Sequence, residues 1–139
     1  MNSSPKRKGE YSREEVDAAF ARAFELRDAN QMDEASREFE RVLTQYPEAS
    51  AAWAAHGEVR WSVNDLEGAI KCFCRAVALV PKHPIASQAL FHALLESGRR
   101  REAEHEAGRF LALVRAKQVK DVPAELVEMY EMYVDDTSS

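Results

Sequence analysis

His105 and Glu106 open the pattern of a zinc-protease helix, in which two histidines four apart hold the metal and a glutamate between them activates water. Four residues beyond His105 stands Arg109, so the second ligand is missing. His56, His83, His92 and His105 fall at no ligand spacing with one another or with Cys72 and Cys74. The two cysteines lie two apart on a stretch with helical periodicity, so their side chains diverge and cannot bridge. Five scattered glycines make no phosphate-cradling loop. Glu14 and Glu15 are paired acids at a helix start, where solvation and the helix dipole account for them. No nucleophile stands with an orienting base. The expectation is therefore no catalytic residue, no metal and no cofactor.

The chain that carries these residues has 139 positions, enough for one domain. Its 45% hydrophobic and 31% charged content is that of a soluble globular protein. No apolar run approaches the ~20 residues of a membrane helix. The N-terminus carries no apolar stretch of the signal-peptide kind, so a cytoplasmic location is expected and the Asn2-Ser3-Ser4 sequon has no meaning there. The net charge of −5 is unevenly spread. Lys6, Arg7 and Lys8 make residues 1–9 basic. Residues 10–67 hold six bases and fourteen acids, residues 68–120 ten bases and four acids, and residues 121–139 six acids and no base. Nucleic-acid binding needs a coherent basic face, which this alternation does not offer. The run Arg99-Arg100-Arg101 reads as a solvated loop and helix start.

What organises the chain is a step of 34 residues. Asn30, Asn64 and Gly98 keep it, as do Ala35, Ala69 and Ala103. Phe39 and Phe73 keep it, and so do Pro47 and Pro81. Asparagine and glycine adopt the left-handed backbone that ends one helix and turns the chain into the next. Alanine five residues later lets two helices approach closely, and phenylalanine one turn on fills the space between them. Each unit thus reads as helix, turn, helix, proline. The first opens at Ser12 with Glu15 three residues on, a capping box, and Val16, Ala19, Phe20, Ala23 and Phe24 follow at helical spacing. That helix turns around Asn30, and its partner runs from Asp33 to near Tyr46. The second unit is expected over 48–63 and 65–80, the third over 84–97 and 100–116. No segment alternates with a period of two.

Helix pairs of this length with Trp53, Gly57, Ala69, Phe73, Ala76 and Pro81 resemble tetratricopeptide (TPR) repeats, here a small bacterial-type single domain of three. The resemblance implies an all-α, right-handed solenoid of three hairpins with repeats at about 14–47, 48–81 and 82–116. The third unit departs from the pattern, with Phe91 in the small-residue column, Ala107 in the phenylalanine column and Arg115 in place of proline. After Pro123, Leu126, Val127, Tyr130, Tyr133 and Val134 share one face of a helix expected over 124–134. It reads either as a cap over the last repeat or as a latch in the groove, its own or that of a second copy, which would make a homodimer. A flexible basic tail over 1–11 and an acidic tail over 135–139 complete the expected domain plan.

In such proteins the first helix of each pair lines a concave surface that holds a peptide or helix of a partner. Carried onto this chain, that lining is Asp17, Phe20, Phe24 and Arg27 from the first unit, Ala51, Ala54, Glu58 and Trp61 from the second, and Gln88, His92 and Leu95 from the third. Trp61 is assigned to the groove because Trp53 already supplies the packing tryptophan of its helix. TPR co-chaperones that grip the acidic tails of heat-shock proteins use Lys, Asn and Arg on this surface. Here Phe20, Phe24, Glu58, Gln88 and His92 stand there, so no such clamp is expected. The lining reads as apolar and aromatic with a few polar groups. The implied function is a non-enzymatic protein-interaction module for a peptide or helix. The alternative is a dedicated bacterial immunity protein or secretion chaperone.

Overall fold

A computed structural model of the chain describes residues 11–137, and side chains through Val134. The expected basic tail lies almost wholly outside the described residues. Seven helices follow one another: α1 (Arg13–Asp28), α2 (Met32–Gln45), α3 (Ser50–Ser62), α4 (Leu66–Leu79), α5 (Pro84–Glu96), α6 (Arg100–Arg115) and α7 (Ala124–Thr137). Each packs on the next, as α1 on α2, α2 on α3 and so on to α6 on α7, which makes an all-α solenoid of three hairpins and a final helix. There is no strand among the described residues.

The 34-residue step is a step in backbone geometry. Asn30, Asn64 and Gly98 have φ of 62°, 63° and 79°. At each, the next amide reaches back five residues: Gln31 N–H to the Leu26 carbonyl, Asp65 to Arg60 and Arg99 to Leu94, all at 2.8 Å. This left-handed ending satisfies carbonyls that the helix end would leave bare. Side chains cap the starts of α1, α4 and α5: Ser12 accepts from the Glu15 amide at 3.2 Å, Asp65 from Gly68 at 3.0 Å and His83 Nδ1 from Ala86 at 3.1 Å, with Pro84 in the first turn of α5.

Phe39, Phe73, Phe91 and Phe110 are fully enclosed between the helices. The third hairpin's departures from the repeat pattern are a compensated exchange. Where the second sets small Gly57 against large Phe73, the third sets large Phe91 against small Ala107, and both of these are fully buried. α7 closes the stack. Tyr130 is fully buried, its ring 4.8 Å from that of Phe91 and 5.9 Å from that of Phe110. The helix caps the last repeat, with Leu126 and Tyr130 in the continuous core of the second and third hairpins. It continues to Thr137, beyond the apolar stripe that ends at Val134.

Candidate partner-binding groove

α3 is packed on two sides, against α2 and α4, and its exposed residues form a single stripe. Ala51, Glu58 and Ser62 are exposed, with Ala54 and Trp61 half-buried between them. α5 repeats the stripe 34 residues on: Ile85, Gln88 and Glu96 are exposed, and His92 and Leu95 half-buried. Leu126 and Tyr130 are buried in α7 as Ala86 and Leu90 are in α5, forty positions earlier. By that register the exposed Glu125, Glu128 and Met132 extend the stripe onto α7. Cross-helix bonds tie the stripes together. Arg27 Nη1 donates to Glu58 at 3.5 Å, and the Trp61 indole N–H donates to Glu96 at 2.8 Å.

The side chains named from the sequence divide between groove and core. Asp17 is exposed on α1. Phe24 is half-buried with its ring edge-on to Phe39 at 5.3 Å, and the Arg27 guanidinium covers it 5.0 Å from the centroid. Phe20 is likewise half-buried, against two core clusters. Trp61 lies edge-on to Phe73, with centroids 5.9 Å apart. Trp53 does not displace it from packing: Trp53 is itself half-buried, its N–H donates to the Pro47 carbonyl at 2.7 Å, and Arg75 stacks 5.9 Å above its ring. Leu95 also packs on the core. The aromatics of the stripe therefore offer edges, and the exposed groups include Asp17, Ala51, Glu58, Ile85, Gln88, Glu96, Glu125, Glu128 and Met132.

Several of these escaped the sequence reading. Ile85, 63% exposed, shares the 34-residue column of Asp17 and Ala51, so the repeat itself pointed to it. Met132, 67% exposed, could not be placed until α7 was seen to continue the stack.

Two buried polar networks lie away from the stripes. His56 is enclosed between hairpins, with Nε2 3.0 Å from Ser36 Oγ and Nδ1 3.6 Å from Cys72 Sγ. One donor and one acceptor contact suit a neutral imidazole, and burial holds its pKa below the ordinary value. Arg60 donates to the same Ser36 at 3.1 Å and pairs with Asp65. Burial also pushes the Cys72 thiol up to about 11, so it is not a thiolate at neutral pH. This Ser–His–Cys contact spans elements that the linear spacing did not connect, and its chemistry is that of packing. The second network pins α7. Ser87 donates to Glu106 at 2.7 Å and contacts the Tyr130 hydroxyl at 2.9 Å, while Arg109 holds Glu106 through two bonds of 2.8 and 2.6 Å. No group of histidine, cysteine and acids able to hold a metal occurs among the described residues. No helix among them is long and apolar enough to cross a membrane.

No family model matches the sequence, and no curated protein matches it. Solved structures do match. The Yersinia enterocolitica type III secretion translocator chaperone SycD is 18% identical with a TM-score of 0.75, over 99% of this chain and 98% of that one. PcrH in complex with the chaperone-binding region of PopD matches at 18% identity and TM-score 0.75, over 91% and 96%. The first TPR of Spaghetti (RPAP3), bound to an HSP90 peptide, matches at 14% and 0.71, over 92% and 97%. This chain has the TPR fold. The likeness to SycD covers 99% of this chain, so the hairpins and the last helix are matched together there. A SycD structure also holds a peptide of the translocator YopD.

Proposed function

We propose that the chain is a non-enzymatic TPR module that holds a peptide or helix of a partner protein along the stripe of α1, α3, α5 and α7. One observation carries the reading. The exposed residues of α3 and α5 fall in single stripes at the repeat step, and they include an isoleucine with no packing role. Apolar groups so placed serve as anchors for a chain laid across the helices. The catalytic alternative lacks support, since the buried His56–Cys72 contact is sealed and its thiol protonated. Phe20, Phe24, Arg27, Glu58, Trp61, Gln88, His92 and Leu95 are the proposed partner-binding residues, and Ile85 and Met132 are added to them.

A dedicated chaperone for a secreted protein is the second reading, favoured by end-to-end likeness to SycD and PcrH. Self-association through α7 is the weaker partner arrangement, because its apolar face is already spent on Phe91 and Phe110 and, among its described residues, Met132 is the one large apolar side chain left exposed. The test is affinity capture from the native host with the full chain and with Ile85→Asp. An aspartate in the first turn of α5 suits the helix dipole and leaves the fold intact. A protein recovered by the wild type and lost with Ile85→Asp supports the groove. Equal recovery by both overturns it.

A further inference from the structure

The projecting charges of this surface are mostly acidic. Asp17 and Asp28 on α1, Glu58 on α3, Glu96 on α5, and Glu125 and Glu128 on α7 are all exposed. The bases along the same stripes are Arg13, exposed at the start of α1, and Arg27, which already bonds Asp28 and Glu58. Apolar groups stand among these acids: Ile85 and Met132 project fully, and Leu95 and Trp61 in part. The bases of the third hairpin lie elsewhere and are largely engaged, Arg99 with Glu67 and Glu102, and Arg109 with Glu106.

We infer that the groove takes a basic amphipathic segment of a partner protein, with apolar side chains on Ile85, Leu95 and Met132 and lysines or arginines against Glu58, Glu96, Glu125 and Glu128. This deepens the groove reading above and rests on it. An acidic segment meets like charge at every stripe, which costs affinity and slows encounter, whereas a basic one is steered in. The acids that bond neighbouring helices remain charged while doing so, and they contribute to the field of the groove as well as to its rigidity.

The probes are two fluorescein-labelled helical peptides with leucines at identical positions, the polar positions being all lysine in one and all glutamate in the other. Titrated with the full chain, the Leu/Lys peptide is expected to bind about ten-fold more tightly, an advantage that shrinks as NaCl rises from roughly 0.05 to 0.5 M. Glu58→Lys/Glu128→Lys is expected to abolish the preference. Glu34→Lys/Glu48→Lys, an equal change of net charge off the stripes, is expected to keep most of it. Equal binding of both peptides, lost for both in Ile85→Asp, overturns the charge assignment and leaves the groove standing. Leu/Lys binding indifferent to both Ile85→Ser and Met132→Ser overturns the groove itself. Leu/Lys affinity that rises several-fold when Lys6, Arg7 and Lys8 become serine assigns the groove to the chain's own N-terminal segment, and overturns the assignment to a partner.

Discussion

The ring of Phe73 lies so close to the backbone of Gly57 that a Cβ there would meet its Cε1 at 2.5 Å and its Cδ1 at 2.7 Å. α3 and α4 approach most tightly at this point, and the ring is fully enclosed and cannot withdraw. A methyl group at position 57 gains about 1 kcal/mol of helix propensity over glycine. Overpacking costs about 1–3 kcal/mol. Gly57→Ala is thus expected to lose about 1 kcal/mol net in urea unfolding. In a Phe73→Leu background the same change is expected to be neutral or stabilising.

The inverted pair of the third hairpin makes a second test. Ala107→Phe alone is expected to cost about 1–3 kcal/mol by overpacking. Phe91→Gly alone is expected to cost about 3–5 kcal/mol, since it opens a cavity beneath Tyr130 and Tyr133. The double variant is expected to be more stable than the sum of the two by about 1 kcal/mol or more, the coupling being read from a double-mutant cycle.

α7 should matter to the whole stack. Tyr130→Phe removes one buried hydrogen bond and is expected to cost about 1 kcal/mol. Tyr130→Ala, which also uncovers Phe91 and Phe110, is expected to cost about 3–5 kcal/mol. Deleting residues 124–139 is expected to lower Tm and raise the binding of an apolar dye. A truncated protein as stable and as soluble as the full chain would remove the capping role.

His56 predicts a pH dependence. Burial lowers its pKa, with Arg60 adding to the effect and Glu40 opposing it. The unfolded chain then binds the proton at higher pH than the folded one. The stability that His56 supports is complete above its unfolded value of about 6.5 and is lost as pH falls through that value toward the folded one. Tm is expected to decline between pH about 7.5 and about 5.5. His56→Leu should flatten that decline, because Leu90 fills the same column one repeat on. Thermal scans across this window read the result.

The cysteines should separate by reactivity. Cys74 is exposed and Cys72 buried. An aromatic disulfide reagent at mild alkaline pH is expected to label Cys74 in the native protein, and both thiols only in denaturant.

Local backbone was legible without coordinates, because the turn residues Asn30, Asn64 and Gly98 and the close-packing alanines act through their nearest neighbours along the chain. Those positions marked the three hairpins and their order, and the apolar face after Pro123 marked the seventh helix. How each side chain divides between interior and groove was decided by helices far away in sequence. Trp61 is drawn inward by Phe73 and outward by Glu96, 35 positions on. The His56–Ser36–Cys72 contact joins three helices, and no spacing rule foresaw it. The acidic character of the groove appeared only when α7 took its place beside α6 and carried Glu125, Glu128 and Met132 to the edge of the stripe. Periodicity is a property of one helix, whereas burial and field are sums over all the helices that surround a point.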